Sequence, residues 1–406
     1  MAKLLLEGVR VVDLTRAYAG PIGTRVLADM GAELIKVEAI QRIDMPCRMI
    51  SHAENVLGDE SWNRGGYFHR LNVNKKGITL DLNHPKGVEI FRELVKISDV
   101  VAENYSPRAM RNFGLDYEEL KKIKPDIIML SSALMGQTGP WHNSPGFGDQ
   151  LTAISGLTQI SGYPDREPGE IGYYTDYIAP RFNAIMILAA LEYRRRTGKG
   201  VYLDVAQHQA SVEYVSPLIL DYVVNKRVAN RMGNKCDYAA PHGTYQCQGE
   251  DRWCAIAVFT DEEWESFCKV VGNPPWTKDH IFSTIQARKE NEYELNRRVN
   301  EWTMQHTDCE VMSLMQAAGV GAALAGTAED LMDKDPHLKY RKYYSELDHP
   351  EIGKLRAPRQ PCVLSKTPAE IRRAPLIGEH NEYVFKKILG MTDGEIADLV
   401  VQEVIV

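Results

Sequence analysis

The run Tyr173-Tyr174-Thr175-Asp176-Tyr177-Ile178-Ala179-Pro180-Arg181 sets one carboxylate among three aromatic side chains, directly ahead of a helical pattern. Two readings of Asp176 stand side by side. In one it caps that helix, because an N-cap aspartate accepts a hydrogen bond from a backbone N–H that otherwise has no partner. In the other it is a nucleophile, kept ionised by the amides at the helix N-terminus and screened from water by its aromatic walls. Other chemical patterns are incomplete. Gly198-Lys199 is no phosphate loop: Gly200 stands where Ser or Thr would hold magnesium, and no glycine lies five residues before Gly198. Gly146-Phe147-Gly148 lacks the third glycine of a dinucleotide fingerprint and follows no clear strand. No Gly-x-Ser-x-Gly occurs, and His242, His280, His306, His349 and His380 show no metal-ligand spacing, so no metal is expected.

The chain around these residues has an ordinary globular composition. It has 406 residues, 44% of them apolar and 25% charged, which argues against disorder. A net charge of −7 with no basic stripe argues against a nucleic-acid partner. Seven cysteines, an odd number with no Cys-x-x-Cys, suit neither a disulfide framework nor a zinc ribbon. Charge interrupts Met1-Ala2-Lys3-Leu4-Leu5-Leu6-Glu7 too early for a signal peptide. The apolar stretch 184–191 falls short of the roughly 20 residues a span needs, so no membrane partner is expected. A cytoplasmic enzyme is the expectation.

Strand and helix patterns alternate in the first half, which predicts an α/β fold built on a mostly parallel, doubly wound sheet. Strands are expected at 9–14, 33–37, 77–82, 99–104, 126–131 and 201–205. Helices are expected from Gly20-Pro21 to Gly31, over 86–97, from about Pro180 to Arg196, and from about Gln207 through Val224. The texture then changes, and four of the six tryptophans fall in 226–325. The division is therefore a large domain beginning with 1–225, a smaller α+β domain over 226–325, and a segment 326–406 that returns to the first domain or a partner.

Several blocks together closely resemble family III CoA-transferases, the CaiB/BaiF-like proteins. They are Leu6-Glu7-Gly8-Val9-Arg10-Val11-Val12-Asp13-Leu14-Thr15, Ala19-Gly20-Pro21 and the stretch from Leu27 to Glu38. Asn74-Lys75-Lys76-Gly77, Glu103-Asn104-Tyr105-Ser106-Pro107 and Gly136-Gln137-Thr138-Gly139-Pro140 follow in order. Arg195-Arg196-Thr197-Gly198-Lys199-Gly200 and Ala374-Pro375-Leu376-Ile377-Gly378-Glu379-His380 complete the match. The resemblance implies a Rossmann-like large domain and a chain interlocked with a second chain as linked rings. That second chain is an identical copy or a homologous one. It also implies that Asp176 attacks an acyl-CoA thioester and forms first an aspartyl–acyl anhydride, then an aspartyl-CoA thioester that the acceptor acid resolves. Coenzyme A is then a substrate, and neither ATP nor metal is needed.

The resemblance also implies CoA contacts. Ala17 and Tyr18 fall in the loop after the first strand, close to the thioester. Leu80, Leu82 and Asn83 match an adenine-side segment, and Asn104, Tyr105 and Ala109 match the pantetheine and nucleotide side. Leu80 and Leu82 also read as plain strand core. Tyr18 replaces a glutamine that bonds the catalytic carboxylate in formyl-CoA transferases, so either its phenol does that work or the acyl pocket differs. Ala39 and Asn112 replace basic residues, leaving Arg42, Arg108 or Arg111 to meet the CoA phosphates. No glycine-rich lid stands in 238–253, so an oxalate-specific enzyme is not expected; the aromatic surroundings of Asp176 favour a larger, partly apolar acyl group. Two other readings remain. An α-methylacyl-CoA racemase needs a proton-transferring histidine where Phe147 stands. A noncatalytic subunit would pair with an active homologous chain.

Overall fold

A computed structural model of the chain describes residues 4–52 and 61–406. Residues 1–3 of the stretch read for a signal peptide lie outside them. The six expected strands form: β1 (Arg10–Asp13), β2 (Glu33–Glu38), β3 (Lys76–Thr79), β4 (Val100–Glu103), β5 (Ile128–Ala133) and β6 (Val201–Ala206). They make one parallel sheet in the order β3-β2-β1-β4-β5-β6. Strand side chains alternate between faces, and helices cover both. Val11, Leu34, Val100, Ile128 and Leu130 enter one core, while Val12, Ile35, Val101 and Met129 enter the other. Burying each side chain contributes about 1.5–3 kcal/mol. The order reverses at β1, where the chain first winds outward to β3 and then returns to β4. Loops leaving the carboxyl ends of β1 and β4 diverge there, and sheets of this kind bind ligands in the crevice between such loops.

The helix Ala19–Asp29 follows β1, and Pro85–Lys96 buries Ile90, Phe91, Leu94 and Val95, the face its spacing predicts. The helix expected from Pro180 begins earlier and runs Thr175–Thr197, closed by Gly198 at φ 70°. Proline is therefore internal to it. Having no N–H, Pro180 gives nothing to the carbonyl four residues before it, which is that of Asp176. Gly23 lets the two helices meet closely, since a Cβ there would lie 3.0 Å from the Asn183 Cβ. The helix expected over 207–224 is also different. It is broken into Gln207–Val212 and Ser216–Asn225 by a 3₁₀ turn at Glu213–Val215, because Pro217 cannot continue the first ladder.

The chain divides into two compact units. One comprises Met1–Thr158, Ile171–Val228 and Lys339–Val406; it includes the parallel sheet and the hairpin β10–β11 described below. The carboxyl end lies on β3, where the Thr79 hydroxyl donates to Val406 O (3.0 Å) and Asn381 accepts from Thr79 N–H (2.9 Å). The other unit comprises Gln159–Glu170 and Ala229–Leu338. Residues 159–170 belong to it because the Gly233 N–H donates to Gly162 O (2.8 Å) and Arg231 donates to Gln159 O (3.2 Å). Side-chain periodicity carries no trace of those bonds. Its antiparallel sheet, β7 (His242–Gln246), β8 (Trp253–Ala257) and β9 (Gly321–Leu324), packs on Phe267, Leu295, Val299, Val311 and Met315. Strands β10 (Tyr344–His349) and β11 (Gly353–Pro358) form a separate antiparallel hairpin. Among the described residues no helix is long and apolar enough to cross a membrane.

Candidate active site

The loop leaving β1 is held residue by residue. Thr15 donates its N–H and hydroxyl to Asp13 (2.9 and 2.5 Å), and its carbonyl accepts from the buried Lys36 ammonium (2.7 Å). Asn104, just past β4, accepts the Arg16 N–H (2.7 Å) and donates to the Arg16 carbonyl (2.9 Å). The Ala17 N–H reaches both oxygens of Asp44, at 3.0 Å each. Beneath the loop Lys75 and Asp13 form a fully buried ion pair at 2.8 Å. Burial alone would push the Asp13 carboxyl up, but Lys75 and Lys36 outweigh it and hold the group below its ordinary range. The crevice therefore has a rigid floor.

Asp176 lines a cavity of about 680 Å³ together with Ala17, Tyr18, Asn104 and Tyr105. It lies in the first turn of its helix, one residue past the start; Tyr174 is the N-cap, and no side chain caps. The capping reading is thereby excluded. Among the described residues no hydrogen bond reaches the Asp176 carboxylate. Burial, then the charge of Asp149, pushes its pKa up to about 7. Against the expectation that helix amides keep it ionised, burial and the Asp149 charge both act to favour the protonated form. A carboxylate of raised basicity without a competing donor is a stronger nucleophile. Gly148 makes room for it, because a Cβ at 148 would stand 2.8 Å from Asp176 Oδ2 and 2.3 Å from Tyr173 Cβ.

Tyr18 does not bond Asp176. Its ring packs at 5.0 Å from Tyr67 and 4.9 Å from Tyr173, whose hydroxyls are 3.3 Å apart. Burial pushes the Tyr18 phenol far up, so it stays neutral. The reading in which its phenol takes the place of that glutamine has no such bond here.

The remaining sequence-derived contacts fall on a second cavity of about 190 Å³. Leu80, Leu82, Asn83, Tyr105 and Ala109 line it. Leu80 and Leu82 are also buried in the core, as their strand reading expects. The two cavities share Arg16, Asp44, Tyr105 and Ser106 in their walls. Of the three replacement cations, Arg108 lines the larger cavity and Arg42 the smaller, while Arg111 is turned outward toward Asp116 (3.8 Å). Ala39 lines the smaller cavity; Asn112 lines neither. Sequence reasoning missed Arg16, Asp44 and Gly148. A charged residue in the short stretch between a buried strand and a turn was the available signal for Asp44. Nothing in the sequence signalled the contact of Gly148 with Asp176. Among the described residues no group of three or more His, Cys, Asp or Glu is placed to hold a metal ion.

Comparison with known proteins identifies the family. The chain matches the family described as CoA-transferase family III over residues 6–381. It is 33% identical, over 98% of both chains, to a succinyl-CoA–D-citramalate CoA-transferase of Chloroflexus aurantiacus. It is 32% identical to the beta subunit of a succinyl-CoA–L-malate CoA-transferase of the same organism, over 98% of this chain and 97% of that one. A crystal structure of a CAIB/BAIF family protein from Brucella suis superposes with a TM-score of 0.87 at 30% identity, covering 96% of this chain and all of that one.

Proposed function

This chain belongs to CoA-transferase family III, and on that premise we propose that it moves CoA from an acyl-CoA to a second carboxylic acid through Asp176. The observation that carries the reading is an Asp176 carboxylate with no bonded donor, on a cavity that shares four wall residues with a second one. A carboxylate oxygen attacks the thioester carbonyl, the C–S bond breaks, and CoA leaves as thiolate. The thiolate then attacks the aspartyl carbonyl of the anhydride and releases the donor acid. The acceptor carboxylate attacks the resulting aspartyl-CoA thioester, and the expelled thiolate cleaves the second anhydride on the acceptor side. Asp176 is regenerated and one thioester replaces another, so the cycle calls for no ATP. Ala17 and Tyr18 lie beside the reacting carbonyl, and the smaller cavity takes the nucleotide end of CoA.

Two relatives are named for succinyl-CoA, which makes a short dicarboxylic acyl donor the first to assay. Donors are mixed with a panel of small dicarboxylic and larger apolar acids, and the new thioesters are read by mass spectrometry. Appearance of a new acyl-CoA is the expected result; a chain that only hydrolyses every donor contradicts the reading.

The position of Phe147 separates this reading from a racemase. Phe147 lines the cavity and has no group to carry a proton. Incubation with a 2-methylacyl-CoA in heavy water is expected to give no α-deuteration, while an added acid triggers CoA exchange. Rapid deuteration without an acceptor would favour proton exchange by Asp149 and Asp176 instead.

We also propose that the active form contains two interlocked chains. In the helix Ser216–Asn225 no residue is buried, and Leu220, Val223 and Val224 are all more than half exposed. An apolar helix left this open supports a covering partner. Light scattering at micromolar concentration is expected to give twice the chain mass, and a stable monomer would contradict it. A homologous second chain is the other arrangement, and the native mass distinguishes it from an identical copy.

A further inference from the structure

We propose that Asp44 is a positioning residue: its carboxylate holds the Ala17 peptide in a left-handed turn and so fixes the cavity wall formed by Ala17 and Tyr18. Its effect on turnover rests on the transfer reaction proposed above; the geometry does not. Ala17 has φ 56°, and among the described residues lining the two cavities it is the one non-glycine residue in this region. L-residues avoid that conformation because Cβ crowds the following carbonyl, and such residues persist only where their surroundings over-determine them. Both oxygens of Asp44 accept the Ala17 N–H, and the Cys47 thiol donates to the Ala17 carbonyl at 2.7 Å. One short segment therefore holds both ends of the residue.

Asp44 also forgoes its ordinary use. It stands at the N-cap of the helix Met45–Arg48, where an aspartate normally accepts from its own helix, yet it makes no capping bond. Its side chain is spent instead on a residue 27 positions away. The group is almost fully buried. Burial raises its pKa, while the nearby Lys36 and the Ala17 amide favour the charged form. A charged acceptor makes the stronger hydrogen bond. Asp44 lines both cavities, so a loosened Ala17 would be felt where they meet.

A glycine test separates this role from direct ligand contact. Asp44→Ala is expected to lower turnover about 10²-fold, the scale of a misplacement near 1 Å. Adding Ala17→Gly to that variant is expected to restore most of the loss, since glycine enters the left-handed region without a pin. Asp44→Asn keeps one acceptor oxygen and falls between. If the alanine variant does not fold, Asp44→Asn with and without Ala17→Gly serves in its place. Failure of glycine to restore turnover in either pair would overturn the proposal and make Asp44 a ligand contact. Amide exchange at Ala17 reads the pin without any activity: slow in the native chain and fast in the Asp44 variants. Equal exchange rates would also overturn it. A native chain that transfers no CoA but shows the exchange difference would remove the reaction and leave the pin.

Discussion

Asp176→Ala is expected to reduce CoA transfer on the order of 10⁶-fold, the scale of losing a covalent nucleophile. The same substitution is expected to leave the fold intact and to stabilise it above neutral pH. The sign follows from the carboxyl's pKa, raised to about 7 in the folded chain against about 3.9 when unfolded. Between those values the folded state binds more protons, so stability falls as pH rises through the window from about 4 to about 7. Removing the group removes that loss. Thermal melts at pH 5 and pH 8 check it: the variant should melt higher than the native chain at pH 8, and by a clearly smaller margin at pH 5. The native enzyme's kcat/KM for the acyl-CoA should rise through about pH 7, because only the carboxylate attacks. Wild-type turnover in the alanine variant would end the mechanism.

Gly148→Ala is the second large effect. The added methyl would meet Asp176 Oδ2 at 2.8 Å and Tyr173 Cβ at 2.3 Å, with no help from backbone strain, since Gly148 does not have a positive φ. Two side chains that flank the reaction must move, and turnover is expected to fall about 10²-fold or more. Overpacking of this kind also costs about 1–3 kcal/mol of stability, which urea unfolding measures. The effect should fall on kcat more than on the KM for CoA thioesters, because residues of the smaller cavity are untouched. A variant with native kcat would show that Asp176 does not work from the position seen here.

Much of this was legible in the chain and some was not. The six strands of the parallel sheet are readable because buried β-branched runs alternate with helical spacing over short distances. Asp176 stood out by its type and its aromatic company, and the block resemblance pointed to its chemistry. Its protonation did not follow from the sequence. A helix end suggested an ionised group, but burial is a property of the packed molecule, and it raises the carboxyl's pKa to about 7. The start of the Thr175 helix was misplaced for a local reason: Pro180 imitates a first-turn proline while in fact sitting six residues into the helix. Gly148 and the packing of Tyr18, Tyr67 and Tyr173 were invisible because each rests on a contact between distant segments, which periodicity does not encode.

The central claim is that the acyl group and then CoA pass through a covalent bond to Asp176, and hydroxylamine trapping tests it most directly. The enzyme is incubated with an acyl-CoA that it transfers, quenched with hydroxylamine, digested, and mapped by mass spectrometry. Hydroxylamine converts an aspartyl anhydride or thioester into a hydroxamate at the residue that carried it. The expected result is a hydroxamate at Asp176, present only when the acyl-CoA is supplied and absent in Asp176→Ala. Continued transfer with Asp176 unmodified, or a hydroxamate at another carboxylate, would contradict it.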